Sequence, residues 1–306
     1  MEDMRSTVNT PFGIVFREVA EPAAAPNEAL VAVRAFSVNR GELALLKART
    51  EDWRPGQDIA GVVLEPAADG SGPVAGTRVA GLVETAGWAE RVAVPADRLA
   101  VLPDAVTMEQ AASLPMAGLT ALRTVRLGGD LLGRRVLVTG SNGGVGRFQV
   151  ELAAASGAKV TAVTTSDDAA KELIALGAAE VLTQASSATG PFDVVLESVG
   201  GATLNAALAV TAPGGTVVVL GSSSGEKSPI DIYDFIGHEN ARLVSYLSYA
   251  HPAPAGPDLQ TLVDLVAAGR LHPTLSRVTD WSRLPETLDA LRDRHLPGGK
   301  AVLTLS

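Results

Sequence analysis

The sequence predicts an α/β protein in two parts, a β-barrel and a doubly wound sheet of six mainly parallel strands. Three observations predict it. The run Val136-Leu-Val-Thr-Gly-Ser-Asn-Gly-Gly-Val-Gly146 reads as a buried apolar strand, a glycine turn and a helix start in immediate succession. Beyond it, short β-branched runs alternate with helical patterns as far as residue 247, the order that builds a parallel sheet covered on both faces. Before about residue 105 the texture differs, with short strands punctuated by Gly, Pro and Asp clusters such as Pro66-Ala-Ala-Asp-Gly-Ser-Gly-Pro73.

In chain order, strands are expected over 14–19, 29–38, 58–64, 78–82, 88–94 and 99–102, which together make the barrel. Helices over 108–114 and 119–125 lead out of it, interrupted by Pro115 and Gly118. The strand 136–139 and helix 145–156 are followed by strand 160–164, a helix through Leu176, strands 180–183 and 193–197, a helix near Leu204, and strands 216–220 and 242–247. A proline-rich connection over 251–257 precedes helices 258–268 and 285–294 and a last strand, 301–305. That strand is expected back in the barrel, because a lone terminal strand needs a partner sheet. The expected domains are 1–118 completed by 257–306, and 119–256.

Composition narrows the function classes. The chain has 306 residues, 46% hydrophobic and 19% charged, as a globular protein does. A formal net charge of −9 with no basic block argues against a nucleic-acid surface. There are no cysteines, so disulfides and thiolate metal sites are excluded, and the four histidines, His238, His251, His272 and His295, lack ligand spacing. No metal is expected. The amino terminus lacks the basic and apolar regions of a signal peptide, and no apolar run reaches membrane-spanning length. The expectation is a cytoplasmic protein with no membrane partner.

The glycine turn is the chemical centre of the sequence. Gly143, Gly144 and Gly146 let backbone N–H groups approach a pyrophosphate where a Cβ would intervene, and the helix from Val145 directs its positive end to the same place. Ser141 stands where the G-x-G-x-x-G pattern has its first glycine. In a doubly wound sheet the ligand lies outside the carboxyl ends of the strands, so Val199, Leu220, Gly221, Ser222, Leu247 and Ser248 are expected to border the nicotinamide half of a dinucleotide. Coenzymes with a free ribose hydroxyl usually meet Asp or Glu after the second strand. Here Thr164, Thr165 and Ser166 stand there, which favours NADPH without excluding NADH. Arg147 in the first helical turn is either a phosphate ligand or an exposed helix arginine.

With these residues in view, the chain resembles the medium-chain dehydrogenase/reductase superfamily, specifically its zinc-free quinone oxidoreductase branch. The likeness rests on the glycine turn together with Ser37-Val-Asn-Arg40, Gly56-Gln-Asp-Ile-Ala-Gly61, Gly87-Trp-Ala-Glu90, Pro115-Met-Ala-Gly-Leu-Thr-Ala121, Asp193-Val-Val-Leu-Glu-Ser-Val-Gly-Gly201 and Gly298-Gly-Lys300. It implies a GroES-like barrel carrying the catalytic residues and a Rossmann domain. Where zinc relatives carry a ligand His before a Glu, this chain has Gln57 and Asp58. The resemblance therefore implies direct hydride transfer from NADPH to a small-molecule electrophile, a quinone or an α,β-unsaturated carbonyl. It places Asn39 beside the nicotinamide as a positioning residue, brings Thr120 to the carboxamide side, and gives Arg40, Trp53 and Tyr249 to the substrate cleft. The loop from Gly41 to Pro55 is shorter than the branch leads one to expect and has no Tyr, and the family's usual Lys and Tyr near the ribose are Ala169 and Gln184. Pairing of the strand 242–247 across a two-fold axis would give a homodimer. Three other readings stand beside this one: an enoyl-thioester reductase of a fatty-acid or polyketide pathway, a non-catalytic nucleotide binder, and a serine hydrolase using Ser141, which lies one residue from the spacing of a nucleophile elbow.

Overall fold

The computed structural model describes residues 3–251 and 253–305. Met1, Glu2, Pro252 and Ser306 lie outside the described residues, and with them parts of the readings made for the amino terminus and the proline-rich connection. The chain divides into two units, Met1–Leu119 with Pro252–Ser306, and Thr120–His251.

The first unit opens with an antiparallel hairpin, β1 (Asp3–Thr10) and β2 (Gly13–Ala20). The sequence did not signal β1, because most of its inward side chains are polar: Ser6, Thr7, Asn9 and Thr10 are buried with Met4 and Val8. Ser6 and Thr10 are satisfied within the hairpin, Thr7 and Asn9 by distant backbone. The Thr7 N–H and hydroxyl each donate to the Trp88 carbonyl at 3.0 Å, and the Asn9 amide donates to the carbonyls of Leu46 and Arg49. Next come β3 (Glu28–Val38), α1 (Arg40–Ala48), β4 (Asp58–Glu65), β5 (Arg78–Leu82), β6 (Arg91–Pro95) and β7 (Leu99–Val101). The presence of α1 corrects the reading of 41–55 as a loop. Its start is stabilised by Glu42, whose carboxylate accepts the Asn39 N–H at 2.7 Å, and Leu43 and Leu46 pack on the barrel core. That core gathers Phe36, Ile59, Val79, Trp88, Val94 and Leu303, with the rings of Phe36 and Trp88 stacked at 5.8 Å.

Thr107 caps α2 (Met108–Ala112), its hydroxyl accepting the Gln110 N–H at 3.2 Å. The following helix, α3 (Pro115–Leu127), is continuous through Gly118, so the expected interruption falls only at 113–114. Proline is at home in the first helical turn, where its missing N–H has no partner to lose. Glycine at 118 admits Leu262, whose Cδ1 would lie 3.0 Å from an added Cβ.

The second unit contains β8 (Arg135–Val138), α4 (Gly144–Ala155), β9 (Lys159–Val163), α5 (Ala170–Ala175), β10 (Ala178–Leu182), β11 (Phe192–Glu197), α6 (Gly201–Leu208), β12 (Thr211–Val219) and β13 (Arg242–Ser245). Its six strands run β10-β9-β8-β11-β12-β13, every neighbouring pair parallel. This is the doubly wound sheet expected from the alternation of patterns. Leu137, Phe192, Val195, Val217, Leu204 and Leu208 form one face of its core.

The chain then re-enters the first unit with α7 (Gly256–Ala267), β14 (Leu275–Asp280), α8 (Leu284–Arg292) and β15 (Lys300–Thr304). The last strand pairs antiparallel with β3, Ala301 opposite Val38. It is thus absorbed into the barrel sheet, β14-β15-β3-β4-β5-β7 with β6 on β3. β14 went unread in the sequence because it is a part-exposed edge strand whose residues do not alternate between apolar and polar.

Candidate functional site

Within the second unit the strand order reverses between β8 and β11, which opens a crevice at their carboxyl ends. The glycine turn sits there, and its glycines do different work. Gly140 has φ +61°, and a Cβ on it would lie 2.6 Å from the Ser198 hydroxyl. A Cβ on Gly146 would lie 2.4 Å from the Gly140 carbonyl oxygen and 2.7 Å from the Ser141 Cα, so this glycine lets α4 close onto β8. Gly143 is the extended N-cap of α4 with no side-chain bond to cap the helix. An added Cβ there would meet only the Gly140 oxygen, at 3.3 Å, within 4 Å. The mouth of α4 therefore keeps the uncapped N–H groups of Gly144 and Val145 beside an open glycine. A pyrophosphate fits that cradle.

Ser141 is turned away from it. Its side chain is fully buried, its Oγ donates to the Val138 carbonyl at 2.7 Å and accepts the Val163 N–H at 3.0 Å, and its own N–H donates to the Val163 carbonyl. The residue ties β8 to β9. It is neither exposed to a substrate nor bonded to a histidine, which overturns the hydrolase reading and leaves Ser141 no side-chain group for a coenzyme.

The strand ends on the other side of the switch are drawn together by Glu197, a residue the sequence reading passed over. This buried carboxylate accepts the N–H groups of Val199 at 2.8 Å and Gly200 at 3.0 Å and the Thr139 hydroxyl at 3.1 Å. Burial raises its proton affinity above that of an ordinary glutamate, against those hydrogen bonds. The loop it holds packs on the end of β12: Ser223 N–H reaches the Ser198 carbonyl and Ser224 N–H the Val199 carbonyl. Val199, Leu220, Gly221 and Ser222 thus form one cluster. Leu247, Ser248 and Tyr249 follow β13, where Leu247 is half exposed and Tyr249 is 80% exposed. Thr120 is buried in α3, its carbonyl accepting the Thr124 hydroxyl at 2.7 Å.

At the end of β9, Thr164 accepts the Ser166 N–H through its hydroxyl at 3.1 Å, and Thr165 is exposed. Arg147 is not the exposed helix arginine that was one of its two readings. It is buried against the glycine turn, Nε lying 3.1 Å from Asn142 Oδ1 and Nη1 2.6 Å from Glu172 Oε2.

The first unit holds a separate polar cluster at the start of α1 and β4. Asp58 is fully buried and accepts from the Ser37 hydroxyl, the Asn39 amide at 2.8 Å, the Met116 N–H at 2.8 Å and the Lys300 ammonium at 3.3 Å. Lys300 also donates to the carbonyl of Val38 and to Asn39 Oδ1. The Asn39 side chain is therefore fixed from both ends, with one amide hydrogen left over. Glu42, fully buried beside them, accepts the N–H groups of Asn39 and Gln57. Burial, then the nearby Asp58 charge, push its pKa up to about 8. Of this set the sequence reading named Asn39 and Asp58. Glu42 was legible only as the third residue after a capping Asn, and Lys300 only as the end of a Gly-Gly-Lys motif. Arg40 donates to the Leu291 carbonyl in the last turn of α8 at 3.3 Å, and Trp53 is half-buried under the Arg49 guanidinium. Among the described residues no group of three or more His, Cys, Asp or Glu is disposed to hold a metal ion, and no helix is long and apolar enough to cross a membrane.

Two family models match this chain: an alcohol dehydrogenase GroES-like domain over residues 25–104 and a zinc-binding dehydrogenase over residues 144–268. The spectinabilin polyketide synthase system protein NorB of Streptomyces orinoci is 36% identical over 94% of this chain and 14% of its own length, so this chain spans a small part of that relative. The mitochondrial NAD(P)H oxidoreductase RTN4IP1 of Homo sapiens is 30% identical, over 89% of this chain and 81% of its own. Among solved structures, the quinone oxidoreductase from Coxiella burnetii shares the fold, with a TM-score of 0.85 at 23% identity over 100% of both chains.

Proposed function

The chain belongs to the medium-chain dehydrogenase/reductase superfamily, in its quinone oxidoreductase-like branch, and on that premise we propose that it is a zinc-independent oxidoreductase passing a hydride from NADPH to a quinone or an α,β-unsaturated carbonyl. The observation that carries this is the uncapped mouth of α4 at the strand switch point, beside the open face of Gly143. Reduced nicotinamide, when bound, supplies the hydride, and conjugated acceptors take it without a Lewis acid because their own π systems spread the charge. The residues then supply binding and order. Gly144 and Val145 N–H groups hold the pyrophosphate, Glu197 fixes the 199–200 loop, and Asn39, held by Asp58 and Lys300, offers its remaining amide hydrogen to a hydroxyl or carbonyl oxygen. Zinc independence is supported by the absence of cysteine and by Gln57 in place of a ligand histidine.

A second reading, an enoyl-thioester reductase, is favoured by the likeness to NorB, a polyketide synthase system protein. Following NADPH oxidation with 1,4-naphthoquinone, a short enone and a crotonyl thioester separates the two. Turnover of the thioester alone would favour the second, and inactivity with all three would leave a nucleotide binder. Thr164, Thr165 and Ser166 in place of an acid support NADPH over NADH. Calorimetry should find NADPH the tighter ligand, and equal affinities would remove the preference. Strand β13 is an edge strand with Leu243 exposed, which supports a homodimer formed by pairing of that edge. Light scattering that finds only monomer would dispose of it.

A further inference from the structure

The adenosine end of the seat in the second unit carries an ion pair that the coenzyme reading leaves without a task. The end of β9 and the glycine turn are locked together, since Ser141 exchanges hydrogen bonds with both the N–H and the carbonyl of Val163. The residue next in the turn, Asn142, holds Arg147: its Oδ1 lies 3.1 Å from Nε and 2.5 Å from Nη2, and its carbonyl lies 3.3 Å from Nε. The guanidinium is thereby fixed to the turn that is tied to the carboxyl end of the second strand of the fold, and the ribose 2′ substituent of a dinucleotide falls at that strand end. Its remaining edge, Nη1, meets Glu172 Oε2 at 2.6 Å. The two partners differ in exposure, with side chains 6% and 60% exposed. The arginine is built in, and the glutamate reaches it from the surface of α5.

We propose that this pair sets the choice between coenzymes: Arg147 is the cation that receives a 2′-phosphate, and Glu172 is an internal anion competing for the same Nη1 edge. The inference rests on the reading of the seat as a dinucleotide site. A phosphate dianion is a stronger acceptor for an arginine fork than a carboxylate, so it can displace Glu172. While Glu172 stays nearby, it repels the phosphate. The other charges between the end of β9 and Glu172 are Asp167, Asp168 and Lys171, all exposed. Only Arg147 is both buried and oriented. Because Asn142 also holds the guanidinium, removing the Glu172 charge leaves the cation in place and takes away the competing anion.

The test is calorimetric titration of the full chain, wild type and Glu172→Gln, with NADPH, NADH, 2′,5′-ADP and 5′-AMP at low salt. The glutamine variant should bind NADPH and 2′,5′-ADP about tenfold tighter, while NADH and 5′-AMP change less than about twofold. Added salt should shrink that gain. In the opposite direction, Arg147→Lys keeps a charge but loses the fork, and should weaken only the two phosphorylated ligands. If Glu172→Gln moves phosphorylated and unphosphorylated ligands alike, or moves neither, the inference is wrong although the seat stands. If the wild type binds none of the four, the coenzyme reading falls and takes the inference with it.

Discussion

Lys300→Met is expected to destabilise the barrel unit by about 3–5 kcal/mol at neutral pH, and by more as the pH rises above about 8. The ammonium is the cation against which two buried carboxylates, Asp58 and Glu42, are held. Methionine preserves the length and apolar body of the side chain, so the loss isolates the charge. Glu42 has a folded pKa of about 8 against an ordinary 4.5. Its contribution to stability is therefore fully present below about 4.5 and is lost as pH rises through 8, where the folded chain must give up the proton. Lys300 opposes that upward shift, so its removal raises the folded pKa further and widens the pH range over which stability declines. All three tryptophans, Trp53, Trp88 and Trp281, lie in this unit, so their fluorescence reports its unfolding in urea. Measured at pH 5.5, 7 and 9, the gap between variant and wild type should stay level up to pH 7, where Glu42 keeps its proton in both folded chains, and widen at pH 9. A gap of equal size throughout would mean that packing, not charge, is what Lys300 provides.

Gly146→Ala is expected to abolish tight dinucleotide binding, weakening NADPH by about a hundredfold or more, while leaving the tryptophan-reported stability of the barrel unit unchanged. The new methyl would stand 2.4 Å from the Gly140 oxygen and 2.9 Å from the Ser141 carbonyl carbon. Both are backbone atoms of the turn itself, so no flexible side chain can yield, and α4 must be pushed off the strand it follows. The N–H groups at its mouth then no longer point where the turn aims them. Gly143→Ala makes a useful contrast, since its methyl meets only one oxygen at 3.3 Å. That variant should fold normally and lose affinity only through contact with the ligand. Calorimetry with NADPH on both, alongside thermal unfolding followed by far-UV circular dichroism, checks the difference. Wild-type affinity in Gly146→Ala would show that the helix does not need to approach the strand so closely.

Some contacts at the candidate site could be anticipated from neighbouring residues, and some could not. Gly143 and Gly146 announced themselves, because a turn of that shape needs missing side chains within a few positions of one another. Arg147 lay in plain view on the same helix, yet its burial and its pairing with Glu172 of the next helix belong to the tertiary structure. Glu197 looked like the last residue of an apolar strand, and only the turn back of its own loop converts it into a clamp for Val199 and Gly200.

By itself the sequence determined the two-part architecture, the six parallel strands in their alternating order and the glycine mouth, because periodicity, β-branching and turn residues act over a few positions. It left β1 and α1 unread: β1 hides polar side chains that distant carbonyls satisfy, and the stripe of α1 became legible only against the barrel core. Tertiary structure alone decided the charged cluster of the first unit. Asp58 and Lys300 are 242 residues apart and meet because β15 is laid against β3, with β4 on its other edge. No local pattern encodes which strands will be neighbours, and a buried charge is stable only once its partner has been brought there.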